Sequence, residues 1–331
     1  MPDRRRFFKE LLREAAGVAQ ELSSALRPEE EELPDWRPPP PVPAGPAIGF
    51  VDEESLLALC RDAGLEHRAE DVRRLARASL RLTPAATDER GGTRLGGRPD
   101  LPPGFRWPSR DGHDLGFVAQ VNLVDVAAVD ADAPLPHDGL LLFFYDLDAR
   151  PSGVHPDHRD ACSVVHVHGG LEPDESHAAG LRHMPVELSR ELQLPGAWSF
   201  QMEPLELESR DNLAWDELRR QLAAAQGVEL EEATADRVAL HRLLGYHDEL
   251  GGEVELDCEL AASGFDPDDL ERYYEVRAEH EAQAREWRVL LQVSADDDLR
   301  TPRGDFDRLY FCIREADLAA GRFDGVWTIL R

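Results

Sequence analysis

The histidines are the residues of this sequence whose types and spacing come closest to a metal site. Six of the twelve histidines fall between His155 and His183, and two pairs stand out, His155-x-x-His158 and His166-x-His168. Imidazole is a common ligand of zinc, and an H-x-H sequence on a strand places both rings on one face. However, one pair lies in a loop rich in proline, glycine and aspartate, and no fixed zinc motif is present. We therefore predict no metal and no cofactor, with these four histidines as the only candidates.

Two glutamines are the next candidates, because each ends an otherwise apolar run. Gln120 and Gln292 occupy corresponding positions, and so do Asn122 and Ser294. One interpretation, which we favour, is that each amide satisfies backbone groups where a strand bends away. The other is that both amides converge near a pseudo-twofold axis and line a polar cleft. The candidate ligand-binding or partner-binding residues are then Trp107, Gln120, Asn122, His241, Tyr246 and Gln292.

Motifs for nucleophilic or nucleotide chemistry are missing from this sequence. Gly96-Gly97 belongs to no phosphate-binding pattern, and no G-x-S-x-G sequence occurs. Asp296-Asp297-Asp298 lacks the alternating ligands and the glycine of a calcium loop. The four cysteines are isolated, which favours reduced thiols in a cytoplasmic protein. We therefore lean toward a protein that is not an enzyme.

Composition narrows the class of partner. The 331 residues include 66 acidic and 37 basic side chains, for a formal net charge of −29. Such a charge disfavours binding to nucleic acid or to anionic membranes, and it would steer a basic partner. No run approaches the 18 uncharged apolar residues that a membrane-spanning helix needs.

The first 47 residues differ from the rest of the chain. Residues 1–27 show the apolar spacing of an amphipathic helix and carry a net positive charge. Arg4-Arg5-Arg6-Phe7-Phe8-Lys9 resembles a twin-arginine export signal, but charged residues interrupt the apolar stretch that export requires. Residues 28–47 are acidic and then rich in proline, which predicts an extended linker. We therefore predict three parts. Residues 1–27 form a helix that docks to a partner or self-associates, residues 28–47 form a linker, and residues 48–331 form the domain.

Within that domain the pattern predicts an α+β fold. Asp52 should cap a helix that stops at Gly64, and a second helix should span Glu70 to Leu82. Short apolar runs between turn residues then predict strands, and further helices are expected over 211–226 and 267–286. Strands and helices occur in blocks, so we expect a largely antiparallel sheet with flanking helices.

A weak internal repeat also runs through the domain. The strands predicted around Gln120 and Gln292 are each followed, after an acidic loop, by a second apolar strand. The duplicated strand-loop-strand unit predicts two pseudo-repeat halves, at about 91–200 and 240–331.

From about residue 50 to 331 the chain resembles the YwqG family, a bacterial family of unknown function. The resemblance rests on these motifs: Arg94 to Pro102 with Trp107-Pro108, Phe117 to Leu123, Leu135 to Leu141, His241 to Tyr246, Gly252 to Leu256, Trp287 to Gln292, Gly304 to Phe311 and Phe323 to Leu330. Family members usually have proline where this chain has His247, and often a bulkier residue at Cys312. The resemblance implies an α+β fold built from a duplicated unit, and it brings no activity or catalytic residues. Some members are similar in genomic setting to toxin-immunity proteins, which implies a protein partner.

These observations together predict a cytoplasmic protein-interaction module without catalysis. The alternative is a small-molecule-binding protein or a metal-assisted hydrolase that uses a central polar cleft. For the interaction module, we expect the partner to be a basic protein.

Overall fold

The computed structural model describes residues 51–177, 180–197, 199–228, 240–248, 253–269, 271–299 and 308–331. The predicted N-terminal helix and the linker lie outside the described residues. Within the described residues, no helix combines the length and the apolar character that crossing a membrane requires.

A ten-stranded antiparallel sheet organises the domain. Its strands are β1 (Arg77–Pro84), β2 (Arg94–Leu95), β6 (Gly116–Asn122), β7 (Leu140–Tyr145), β8 (Cys162–Val167), β10 (Met184–Gln193), β11 (His241–Leu243), β12 (Trp287–Ser294), β13 (Arg308–Arg314) and β14 (Trp327–Leu330). Across the sheet they lie in the order β14-β13-β12-β11-β1-β10-β2-β6-β7-β8. Two small ribbons pair β3 (Asp100–Leu101) with β9 (Glu172–Pro173) and β4 (Ser109–Arg110) with β5 (His113–Asp114). The predicted antiparallel α+β fold is confirmed.

Seven α-helices accompany the sheet in the described part of the chain. They are α1 (Glu53–Asp62), α2 (Ala69–Leu75), α3 (Leu123–Val129), α4 (Ser209–Ala225), α5 (Val254–Ala262), α6 (Tyr273–Ala284) and α7 (Glu315–Ala319), with 3-10 turns at Glu66–Arg68, Pro156–Ala161 and Glu203–Leu205. Asp52 caps α1 as predicted, since its carboxylate accepts a hydrogen bond from Ser55 N at 2.8 Å.

The second predicted helix is wrong in its C-terminal half. Helix α2 ends at Leu75, and Arg77 begins β1, a strand at the centre of the sheet. Leu80 and Leu82 are both buried in the core, at the spacing of two that a strand requires. Pairing with β10 and β11 on both sides satisfies the backbone of this segment and overrides its local helical pattern.

The largest apolar cluster lies on one face of the sheet and draws side chains from both ends of the strand order. Phe143 on β7 and Phe311 on β13 meet with ring centroids 5.2 Å apart at 76°. Since β7 and β13 each stand next to an opposite edge of the sheet, this contact requires the sheet to curl around the cluster. The two ends of the sheet also approach each other, because Trp327 Nε1 of β14 donates to Gly153 O, in the loop between β7 and β8, at 2.7 Å. Cys162 Sγ, at the start of β8, lies 3.6 Å from Val326 O, just before β14.

The two sides of the sheet match strand by strand around the central β1–β10 pair. Strands β2, β6, β7 and β8 follow on one side, and β11, β12, β13 and β14 follow on the other. Strands β6 and β12 each carry an irregularity in register, between Phe117 and Ala119 and between Val289 and Leu291. In both strands the shift begins three residues before a glutamine, Gln120 or Gln292.

Candidate functional site

Gln120 belongs to a buried polar cluster with Arg94 and Asp100. The Gln120 amide donates to Asp100 Oδ2 at 3.1 Å and to Gly92 O at 2.9 Å, and its oxygen accepts from Asp100 N at 2.7 Å. The Arg94 guanidinium donates to the same Asp100 carboxylate, which also accepts from Gly91 N at 2.7 Å. Asp100 and Gln120 are fully buried. The cluster therefore fixes the loop between β2 and β3 against β6.

The other side of the sheet repeats this arrangement with Arg242, Asp248 and Gln292. The Gln292 amide donates to Asp248 Oδ2 at 2.7 Å and to Leu240 O at 2.8 Å, and its oxygen accepts from Asp248 N at 3.0 Å. The Arg242 guanidinium donates to Asp248 Oδ2. Here too the arginine stands opposite the glutamine in the strand register.

A shared sequence pattern produces the two clusters. Arg94-Leu95-Gly96-Gly97-Arg98-Pro99-Asp100 and Arg242-Leu243-Leu244-Gly245-Tyr246-His247-Asp248 both read R-L-x-G-x-x-D. In each, the two residues after the leucine have positive φ, 60° and 71° in the first and 64° and 86° in the second. This turn brings the aspartate back to the arginine six residues earlier. The apolar pattern singles out the two glutamines but not their arginine and aspartate partners, which the shared R-L-x-G-x-x-D spacing could have revealed.

The second cluster is larger because β10 adds a carboxylate. Glu191 accepts hydrogen bonds from Arg242 and, at 3.2 Å, from Ser79 Oγ. Burial disfavours the charged form of Asp248, but the charges of Arg242 and Arg308 outweigh it and lower the pKa of Asp248. Asp248 therefore stays ionised, held by its own neighbours.

The two glutamines point away from the core that the two sides of the sheet share. Ala119 and Leu291 belong to the central apolar cluster, so Gln120 and Gln292, one residue further along, lie on the opposite face. The hydrogen bonds of the two amides are those of the first interpretation, in which each amide satisfies nearby backbone groups. A binding role for either residue stays a prediction.

The remaining predicted site residues divide between the two sides. Asn122 accepts from Val124 N at 2.9 Å and so caps α3. His241 is buried, with Nδ1 accepting from Ser294 N at 3.2 Å and Nε2 at 3.1 Å from Asp296 Oδ2. Asn122 therefore lies with Gln120, and His241 lies with Gln292.

The two aromatic candidates make separate contacts. Trp107 stacks on His177 with centroids 3.7 Å apart and donates through Nε1 to Leu115 O. Tyr246 is buried and donates its hydroxyl to Leu75 O at 2.8 Å. These contacts place Trp107 beside the small ribbons and Tyr246 beside the start of β1.

A cavity of about 500 Å³ lies next to Tyr246. Its charged lining residues are Arg74, Arg77, Arg190 and Arg288, with Asp130, Asp132 and Glu315. We call it the arginine cavity. Arg190 pairs with Asp130 at 3.2 Å and Arg288 with Glu315 at 2.5 Å. No sequence pattern indicates this cavity, because its lining comes from segments that are far apart in the chain.

Arg77 differs from the other arginines of this cavity. Its guanidinium lies 4.2 Å from the ring centroid of Tyr246, and burial lowers its pKa. Among the described residues, no side chain or backbone oxygen forms a hydrogen bond or ion pair with the Arg77 guanidinium. A guanidinium stacked in this way keeps its in-plane donors available for a carboxylate or phosphate.

Three of the four candidate histidines fall into two groups of possible metal ligands. His166 and His168 lie with Asp138, and His155 lies with Asp266 and Asp268, with the ligand atoms of each group within 4.8 Å of one another. His158 belongs to neither group, and its Nδ1 accepts a hydrogen bond from Gly153 N at 3.1 Å.

A comparison with protein-family models gives a match over most of the chain. Residues 93–331 match the sequence model of a family described as a domain of unknown function (DUF1963). A search of curated proteins finds no match. The family match does not carry the YwqG name, so that part of the resemblance stays a prediction.

Proposed function

Since the chain belongs to the DUF1963 family, whose description assigns no activity, we propose from its own residues that it is a cytoplasmic protein-interaction module without catalysis. Its partner is a basic protein, in the manner of an immunity protein that binds a toxin. The YwqG resemblance and the net charge of −29 both favour this function.

One exposed surface carries the proposal. It comprises Asp266, Asp268, Glu271, Tyr274, Glu275 and Glu279, on α6 and the loop before it, and we call it the acidic surface. All six side chains are exposed, and Tyr274 has 79% of its surface accessible. Tyr274 is one of only three large apolar side chains exposed among the described residues. Accessible aromatic rings are enriched at protein contact sites, and the surrounding carboxylates give this site a charge complementary to that of a basic protein.

The spacing of these residues supports a continuous contact. Glu275 and Glu279 are four residues apart and fall on one side of α6, next to Tyr274 in its first turn. Glu271 lies in the turn that leads into this helix. Arg272 is also exposed and lies 3.9 Å from Asp269. Arg277 is engaged by Glu203, Glu253 and Glu281 and does not neutralise the exposed row. A basic partner would relieve the repulsion among these carboxylates.

The non-catalytic part of the proposal is supported by how the reactive side chains are used. Gln120, Gln292 and His241 are buried and bonded to the fold. Burial raises the pKa of the Cys60 and Cys258 thiols, which keeps them protonated and poorly nucleophilic.

The test is a capture experiment with the full chain and two variants. Wild-type protein, Tyr274→Ala and Leu213→Ala are immobilised and exposed to extract of the native cell. Leu213 is the matched control, because it is also an exposed apolar residue on a helix. The proposal expects a stoichiometric basic protein on the wild type and on Leu213→Ala, reduced at least about tenfold on Tyr274→Ala. An acidic partner, or equal recovery on all three proteins, would contradict it.

The N-terminal helix enters this proposal as a second contact. Residues 1–27 are predicted to dock to the partner or to self-associate, and they lie outside the described residues. Removal of residues 1–46 separates the two roles, since loss of the partner assigns docking to the helix and conversion of an oligomer to a monomer assigns self-association.

Small-molecule binding is the alternative, and the arginine cavity favours it. Arg77, stacked on Tyr246, presents a charge without a carboxylate partner in the described residues. A small dicarboxylate or phosphate is the ligand class that such a group would hold. Calorimetry with succinate and with inorganic phosphate tests it, using Arg77→Gln and the control Arg159→Gln, an arginine 5.8 Å from the Trp327 ring. If Arg77→Gln does not change the heat of binding, the arginine cavity is excluded as the ligand-binding site.

A further inference from the structure

We infer that Asp138, His166 and His168 form a binding site for a zinc-class divalent ion. The three residues meet at one end of the β7–β8 hairpin. Leu140 pairs with Val167 and Leu141 with His166, so the turn residues before β7 lie beside the residues that follow β8. This inference is independent of the acidic surface.

The three side chains are close enough to share one ion. Each offers a ligand atom, and these atoms lie within 4.8 Å of one another. The rings of His166 and His168 have centroids 4.2 Å apart, and His168 Nδ1 lies 3.6 Å from Asp138 Oδ2. Tetrahedral zinc with nitrogen and oxygen ligands near 2 Å separates its ligand atoms by about 3 to 3.5 Å. Small side-chain rotations therefore complete the geometry.

Gly139 keeps the space between the imidazoles open. Its φ is +86°, and a Cβ at this position would lie 2.8 Å from His166 Nε2 and 2.9 Å from His168 Nδ1. Both nitrogens therefore border a volume that any other residue would fill. The absent side chain is what allows an ion to approach both rings.

The ligand set selects the class of ion. Two imidazoles and one carboxylate suit zinc and its neighbours in the first transition row, whereas magnesium and calcium require mostly oxygen ligands. Three protein ligands leave at least one position for water or another molecule. His166 Nε2 lies 2.8 Å from Asp138 O, and the ion must replace this contact, so we expect weaker binding than at a four-ligand structural site.

The neighbouring surface gives the open position room. His166 also lines a cavity of about 440 Å³ with Arg159, Ser163 and Asp324, and its ring meets that of Phe323 at 6.1 Å. An ion at this site would stand at the border of a cavity that can hold a small molecule.

The rival group, His155 with Asp266 and Asp268, has only one imidazole. His155 Nδ1 lies 3.8 Å from Asp266 Oδ1, and both carboxylates are exposed. Imidazole nitrogen contributes most of the selectivity for zinc over magnesium. We therefore expect this group to bind zinc more weakly than the group with two imidazoles. It supplies the matched control.

The experiment titrates Zn²⁺ alone into the full chain by calorimetry near neutral pH. His168→Gln and Asp138→Asn are the test variants, and both positions are exposed, so neither change threatens the fold. The expected result is one saturable zinc per chain, weakened at least about tenfold in both variants and unchanged in His155→Gln. Co²⁺ provides an independent readout, since its visible absorption bands should appear in the wild type and be lost in His168→Gln.

Two results would overturn the inference. One is the absence of saturable zinc binding at one ion per chain. The other is binding that survives in His168→Gln or is lost in His155→Gln, which would place the ion elsewhere.

Discussion

Replacing Gln120 with leucine tests whether the buried clusters hold the fold together. The side chain is fully buried and makes three hydrogen bonds, two with Asp100 and one with Gly92. Leucine has a similar size but no polar atom, so Asp100 N loses its partner in a buried position. An orphaned buried donor costs about 1 to 3 kcal/mol, and the lost bond to the carboxylate costs about 1.5 kcal/mol or more in addition. We expect Gln120→Leu to lower the free energy of unfolding by about 3 kcal/mol.

The assay is urea denaturation followed by tryptophan fluorescence. Gln292→Leu should cost a similar amount, because Gln292 makes the same three kinds of hydrogen bond. Gln283→Leu is the control, an exposed glutamine on α6, and should stay within about 0.5 kcal/mol of the wild type. If Gln120→Leu also stays within that range, the cluster does not stabilise the fold and the reasoning fails.

Three further predictions concern packing, pH and thiols. Gly153→Ala should lower the free energy of unfolding, measured by urea denaturation, by about 2 kcal/mol or more, because a Cβ there would overlap Thr328 O. The control Gly169→Ala also changes a residue with positive φ, but the space around it is free, so it should cost about 1 kcal/mol. Because the pKa of Asp248 is lowered in the folded state, its ionised form stabilises the fold above the ordinary carboxyl pKa near 4. The free energy of unfolding should therefore fall as the pH drops from about 5, and it should fall less steeply in Asp248→Asn. Urea midpoints measured at two pH values test this. Burial raises the pKa of Cys162 to about 12 and the other described thiols are buried, so Ellman's reagent should label none of the four in native protein and all four in urea.

The sequence predicted the fold class well, because it depends on patterns of apolar residues and turns. The strands around Gln120 and Gln292, the cap at Asp52 and the helix over 211–226 all follow from local signals. The helix predicted around Leu80 was wrong, because a short apolar segment fits the period of a helix as well as that of a strand. Only pairing in the sheet decides between them.

The site was harder to predict, because its contacts join residues far apart in the chain. The H-x-H spacing identified His166 and His168, but Asp138 joins them only through the hairpin register. Similarly, Arg94 and Arg242 reach Gln120 and Gln292 through strand pairing. No periodicity of apolar residues reports such pairings.

The acidic surface illustrates a different limit. Tyr273 and Tyr274 are adjacent in sequence, yet Tyr273 is partly buried against Phe265 and Tyr274 is exposed. Which of the two faces solvent depends on how α6 packs. The sequence of this helix contains two tyrosines and several glutamates, and it does not show which tyrosine is exposed and available to contact a partner.

The salt dependence of partner binding tests the central claim most directly. Calorimetry or surface plasmon resonance would measure the dissociation constant of the full chain and its captured partner at about 50 mM and about 500 mM sodium chloride, where the screening length falls from about 14 Å to about 4 Å. An acidic surface that attracts a basic protein predicts an affinity at least about tenfold weaker at the higher salt concentration. An affinity that does not change between the two concentrations would contradict the account.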